Sequence, residues 1–258
     1  MVYVEPGSFM MGSPKDEKAR FDNKGIEFDV ESQQKVTITR RFHVQKTPVT
    51  VKNWRTFVED TGYLTEAETE GAANVWTETG WKTINGAFWD NQNSDQSDLD
   101  PVTFITWNDT LAFLGWLNRK EKIKGFQLPT EAEWEYACRA ETTTRYFFGD
   151  DQSRLREFTW YNEDSHGRTH PVAKLKPNSF GLYDIHGNVW EWCRDWYDRY
   201  QVKNVVNPEG PLSGTHKIFR GGGSAGDDTA DWCRSAIRGG TYSNHTSSSV
   251  GFRLVCEV

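Results

Sequence analysis

An α+β fold with little regular secondary structure is predicted by three observations. Three segments carry helical stripes or capping boxes, a few short β-like runs lie apart from them, and the long stretches between have no period. Composition agrees, because hydrophobic residues make up only 36% of the 258, whereas Trp, Phe and Tyr number 12, 15 and 9 beside 22 Gly. Large rings must then supply the buried apolar area that aliphatic side chains do not, which suits a loop-rich fold pinned by aromatics. Chains this rich in aromatics are not disordered. No repeat or linker divides the sequence, so residues 1–258 read as one domain, long enough to bury a substantial core.

Taken in order, Met1–Val4 reads as a strand, and further strands are expected at Val36–Ile38 and Phe42–Val44. The first helix runs from about Val49 to Asp60, with Val51, Trp54, Phe57 and Val58 on one face and Gly62 as its stop. Thr61–Pro101 shows no regular pattern. The second helix starts near Trp107, where Thr106 and Asp109 form a capping-box pattern and Leu111, Leu114 and Leu117 a stripe. The third starts at Thr130, with Glu133 completing a second box and Trp134, Ala137 and Cys138 facing inward. Phe147–Phe180 again lacks a period, and strands at Ile218–Arg220, Arg234–Ile237 and Gly251–Val255 complete the pattern. Irregular segments this long are unusual in a compact domain and tend to be functional.

The net charge of −7 argues against nucleic acid as a partner, since a phosphate-binding face needs concentrated Lys and Arg. No apolar run approaches the roughly 20 residues of a membrane span, and no secretory signal is visible. Cys138, Cys193, Cys233 and Cys256 are too widely spaced for a C-x-x-C metal motif; buried thiols and one or two disulfides both remain open. His166 and His170 have the spacing of helical metal ligands, but Gly167 and the missing helical pattern place them in a loop. His186 reads as a packing or turn residue.

Several segments together carry a resemblance. They are Pro6–Ser13, Thr47–Thr50, Leu128–Ala137, Asn178–Asp184, Gly187–Trp192 and Gly251–Arg253. Their residues and order resemble the formylglycine-generating enzyme (sulfatase-modifying factor) family, over nearly the whole chain. The resemblance implies a variant of the C-type lectin fold whose C-terminal segment forms the site. Locally, Gly221–Gly223 would allow close backbone approach, Trp190 and Trp192 alternate about Glu191 as in a partly buried strand, and Arg253 has a fork of donors suited to loop carbonyls.

Enzymes of this family use a pair of cysteines, usually holding copper, and soft thiolates suit Cu(I). Counted back from Gly251-Phe252-Arg253, with a one-residue insertion allowed at the glycines, that pair falls near Ala225 and Ala230. A lone Cys233 cannot replace it, so no copper is expected. The alternative is an oxidase of the formylglycine-generating or another metal-dependent type.

What fills the frame points to binding. Ser224–Val250 holds 27 residues, of which only Trp232 is Lys, Glu, Gln, Met or Trp; those types make up 56 of the 258, so roughly six would be expected. The remaining types can all come from an Asn codon with randomised adenines. This bias resembles proteins diversified by retroelements, and it places ligand contacts at Ala225, Asp227, Asp228, Ala230, Asp231, Ser235, Ile237, Gly239, Tyr242, Asn244 and His245. Tyr242 is the expected rigid anchor, as in paratopes rich in Tyr, Ser, Gly and Asn. Trp232, the extra glycine, and Gly223-Ser224 where the family often has Ser-Trp depart from the pattern.

The family resemblance also implies a structural calcium, with carboxylates from Asp184 and Glu191 and backbone oxygens from Gly187 and Val189. The expectation is thus a non-enzymatic, ligand-binding protein on the cell surface or outside the cell. Its partner is an unknown protein or surface ligand, and any lipid anchor lies upstream, outside this chain.

Overall fold

The computed structural model describes residues 1–17, 31–91, 96–122, 125–161, 165–200, 204–225 and 229–257. Along the chain run β1 (Val2–Val4), β2 (Gly7–Met11), β3 (Gln34–Ile38), β4 (Phe42–Val44), α1 (Val51–Thr61), α2 (Glu66–Glu70), β5 (Ala72–Thr77), β6 (Gly80–Asn85) and α3 (Trp107–Lys120). Then follow β7 (Phe126–Gln127), α4 (Glu131–Arg139), β8 (Trp190–Trp196), β9 (Val205–Val206), β10 (Lys217–Arg220), β11 (Arg238–Thr241), β12 (Val250–Gly251) and β13 (Val255–Glu257). Strands order as β1-β4-β13-β7, β11-β10-β8-β12 and β2-β3-β9, with β5-β6 a separate hairpin. Helices and strands are few and short, as the sequence predicts for an α+β chain.

Each helix starts on a threonine whose hydroxyl accepts from the N3 amide while the N3 side chain accepts from the cap amide. The pairs are Thr50–Asn53, Thr65–Glu68, Thr106–Asp109 and Thr130–Glu133. Gly62 ends α1 in the left-handed conformation at φ 66°. Rings build the core. Trp54 stacks on Phe113 at 5.5 Å and meets Phe57 and Phe252 edge-on.

Three expectations need correction. Arg234–Ile237 is not a strand; all four residues are buried through a turn, so burial there does not require β pairing. Gly251–Val255 divides between β12 and β13 because the chain crosses from one sheet to another. Thr61–Pro101 is not irregular throughout: it contains α2 and the β5–β6 hairpin, while a 3-10 turn spans Gln152–Glu157 in the second long loop.

α4 positions much of the interior. Glu133 caps the helix, whereas Glu131 and Glu135, one turn apart, point inward. Glu131 binds Arg238 through two oxygens, at 2.7 and 2.6 Å. Glu135 holds Arg139 at 2.8 Å and also pairs with Arg220. Such charges are tolerable inside only because every carboxylate meets a guanidinium fork.

Candidate binding face

The C-terminal segment is held from inside. Arg220 reaches Glu135, Arg234 reaches Glu31 and Glu17, Arg238 reaches Glu131 and Arg253 reaches Glu191, all four guanidiniums buried. The sequence marks Arg253 as a donor to loop carbonyls and places Arg234 only in an expected strand; Arg238 goes unmarked, although its place in the Cys-Arg-Ser-Ala-Ile-Arg run is a signal. Gly222, at φ 81°, allows the loop to close, because a Cβ there would lie 2.7 Å from the Trp232 carbonyl oxygen.

Between these anchors the expected contact residues divide. Ala225, Ala230, Ser235 and Ile237 are only 2%, 3%, 0% and 7% exposed. Ala230 packs with Tyr146, Leu155 and Cys233, and Ile237 joins the main core. Buried side chains cannot touch a surface ligand, so these four are corrected to scaffold. Gly239 is half-buried and could offer a ligand only its backbone, since any side chain would collide with the Phe219 ring lying across it. Asp231 is half-exposed but paired with Arg145. Asp227 and Asp228 lie outside the described residues.

Tyr242, Asn244 and His245 do come together. They line a cleft of about 330 Å³ whose far wall is Glu70, Asn74 and Thr83, from the end of α2 and the β5–β6 hairpin. Tyr242 is 61% exposed, with its ring against His216 at 4.6 Å. Burial holds the His245 imidazole below its ordinary pKa, which favours the neutral form with one donor and one acceptor. Thr83 donates to Asn74 Oδ1 at 3.1 Å on the opposite wall.

Main-chain bonds fix this turn. Trp107 N donates to Ser243 O, Asn74 N to Thr246 O, Phe104 N to Ser247 O and Ser248 N to Asn74 O, at 2.9–3.3 Å. Beneath it, the Lys217 ammonium sits between the Trp196 and Trp107 rings, 3.8 and 3.9 Å from their centroids. Its third contact is the Arg194 carbonyl at 2.8 Å. Burial pulls this ammonium down to about 8. Neither the cage nor the hairpin wall was foreseen, because both join residues far apart in sequence. Trp232, 41% exposed, is a further aromatic that the contact prediction passed over.

Ala225 and Ala230, near which the family resemblance places a thiol pair, are packed methyl groups. All four cysteines are free; Cys138, Cys193 and Cys233 are buried, and burial pushes the Cys138 thiol up to about 12. The expected calcium ligands do not fit a cation. Glu191 Oε2 accepts from Arg253 Nε at 2.6 Å and Trp134 Nε1 at 2.7 Å, and Oε1 from Arg253 Nη2 at 2.6 Å. Asp184 Oδ2 accepts from Ala173 N at 2.8 Å, and burial pushes its carboxyl up to about 6. Gly187 and Val189 lie in the same turn, with their amides bonded to the carbonyls of Gly221 and Gly187. With Glu191 held by Arg253 and Asp184 by the Ala173 amide, the two carboxylates are engaged in an internal brace. Among the described residues no cluster of three or more His, Cys, Asp or Glu could hold a metal.

The histidines follow the loop reading. His170 stacks on Trp160 at 4.1 Å, and His166 has a left-handed backbone at φ 52°. His186 is fully buried against Phe147, its imidazole pushed down to about 3, so it packs as a neutral ring.

Residues 1–258 match the sulfatase-modifying factor enzyme 1-like domain. The formylglycine-generating enzyme of Streptomyces coelicolor is 32% identical over 290 aligned positions, covering 98% of this chain and 87% of that protein. A Mus musculus relative, inactive C-alpha-formylglycine-generating enzyme 2, is 29% identical over 98% of this chain and 84% of its own length. Treponema denticola variable protein 1 superposes with a TM-score of 0.77 at 24% identity, over 100% of this chain and 95% of that one. The fold is thus the α+β, C-type lectin-like one that the motifs imply.

Proposed function

Because this chain belongs to the sulfatase-modifying factor enzyme 1-like family, yet has alanines where the family's thiol pair would stand, we propose that it is a non-enzymatic binding member. On this reading it is displayed on the cell surface or outside the cell, and the turn Tyr242–His245 meets a protein or other surface ligand. The observation that carries the reading is the pairing of Ala225 and Ala230, buried and without sulfur, with an exposed Tyr242 and Asn244 and a half-buried His245 around an open cleft. A copper site of this family needs two soft ligands at the first location, and methyl groups offer none.

The cleft suits recognition. Tyr242 gives a large ring at little entropic cost, while Asn244, His245 and Asn74 supply adaptable donors and acceptors. Likeness to the treponemal variable protein supports a scaffold that carries such a face, and codon-like bias in Ser224–Val250 supports its diversification by a retroelement. Buried Ala225, Ala230, Ser235 and Ile237 would then be constant, with variation confined to exposed positions.

A second reading, an oxidase of the formylglycine-generating type, is favoured by the 32% identity to the Streptomyces enzyme. One experiment separates the two: copper titration and oxygen consumption with a cysteine-containing peptide. The binding reading expects neither tight copper uptake nor turnover, and turnover would overturn it. A reverse-transcriptase gene beside an adenine-rich near-copy of the 3′ coding sequence would establish diversification.

A further inference from the structure

A second cavity, about 270 Å³, opens on the end of β8 and shares no residue with the Tyr242 cleft. Its inner wall has Asp195 and Gln34, which are 4% and 7% exposed. Asp195 Oδ2 accepts from the Glu131 amide at 2.8 Å, whereas Oδ1 has no donor among the described residues. Gln34 Nε2 touches the Met11 sulfur at 3.9 Å, and its Oε1 likewise accepts no bond among the described residues. Neither oxygen is sealed from solvent, so both face the cavity as acceptors that a ligand with N–H groups can reach.

The remaining walls say which donor. Trp196 and Tyr200 line it with rings that already lie under the Lys217 ammonium at 3.8 Å and the Arg238 guanidinium at 4.1 Å, and Pro208 and Pro211 add apolar surface. Arg238 is already held by both oxygens of Glu131, and Glu209 is paired with Arg194 at 3.2 Å. An anion would meet Asp195 and Asp198, so charge selects against it. A divalent metal would lack a set of three ligating side chains among the described residues. Gly210, at φ 70°, lies so close that a Cβ would come within 3.0 Å of Asp195 Cβ and 3.2 Å of Oδ1. The bare backbone there lets the outer wall close over the carboxyl.

We propose that this cavity binds a primary ammonium group, that of a small alkylamine or of a lysine side chain, through Asp195 Oδ1 and Gln34 Oε1. The site stands apart from the binding reading of the Tyr242 cleft and does not depend on it. Burial and the neighbouring Glu131 push the Asp195 carboxyl up to about 7. A bound cation favours its ionised form, so affinity should rise between about pH 6 and 8. The other charged groups facing Asp195 are Glu131 and Glu133 on α4, Arg194 on its own strand, Lys217 on β10, Arg238 on β11 and Asp198, Arg199 and Glu209 at the rim.

The test is calorimetric titration of the full chain with n-butylammonium, Nα-acetyl-lysine methylamide, tetramethylammonium and butyrate. Butylammonium should saturate with a dissociation constant on the order of 1 mM, which is reasonable for so few atoms. Tetramethylammonium, lacking N–H donors, should bind more weakly, and butyrate not at all. Saturation by the acetyl-lysine amide would assign a lysine side chain as the source, and its failure beside butylammonium binding would assign free amines. Asp195→Asn should weaken binding by about tenfold or more. Gln34→Leu should weaken it less, and it keeps the proposal testable if Asp195→Asn does not fold. No saturable binding, equal binding of butyrate, or affinity unchanged in both variants would overturn the assignment.

Discussion

Glu191 shows how a single residue can look like a ligand in sequence and act as a brace in the fold. Its two oxygens accept three bonds from Arg253 and Trp134, all at 2.6–2.7 Å and out of contact with water. Breaking such a pair strands a buried charge, so Glu191→Gln should lower stability by about 3–5 kcal/mol in urea denaturation. Added calcium should leave the wild-type melting temperature unchanged; a clear rise would restore the cation site. Arg253 was legible in the sequence as a donor to loop carbonyls, and it does donate to Gln45 O and Tyr183 O, at 3.1 and 3.0 Å. Its carboxylate partner was not, because nothing local links Arg253 to Glu191. Asp195 gives a second prediction at this scale. Its folded pKa, about 7, lies above its ordinary 3.8, so the folded state holds the proton more tightly. The associated stability is full below about pH 4 and is lost as pH rises through about 7, a change of a few kcal/mol. Subtracting the pH–stability curve of Asp195→Asn from that of wild type should isolate this slope, and parallel curves would refute it. Asp184 acts in the same direction, while neutral His186 opposes both as pH falls below its ordinary range.

Among the elements, β11 and the turn after it show opposite tolerances within a few residues. Gly239→Val would press against the Phe219 ring, itself wedged between Trp190 and Trp192, and should cost about 1–3 kcal/mol or more. Serine at Tyr242 or Asn244 should stay within about 0.5 kcal/mol, as surface positions do. Chemical denaturation of the two sets checks the contrast; equal costs would mean the turn is structural. Sequence reading reached the helices well because capping boxes and stripes are local signals. It missed the β5–β6 hairpin for a physical reason. β6 is an exposed ribbon without inward–outward alternation, and its Glu78-Thr79 turn lacks the Asn-Gly signature. The candidate face was legible by composition alone. Which residues point outward was not, because that depends on rings contributed by other strands.

For the molecule as a whole, the four arginines set how the C-terminal quarter is joined to the rest. Arg234 links this segment to Glu31 and Glu17, more than 200 residues earlier. Arg234→Met should therefore loosen both ends together, raising amide exchange in residues 31–38 as well as 229–241. Exchange confined to one of them would show that the tie is not shared. Since these charges are buried, moderate salt should change stability little.

The main-chain ladder from Ser243 to Ser248 has a consequence for inheritance. Amide-to-carbonyl bonds are indifferent to the side chain at either end, but they count residues. Point changes at positions 242, 244 and 245 would leave every rung in place, whereas one inserted or deleted residue would displace all of them. A lineage carrying this gene can therefore accumulate new letters in the turn, but its length should be inherited unchanged.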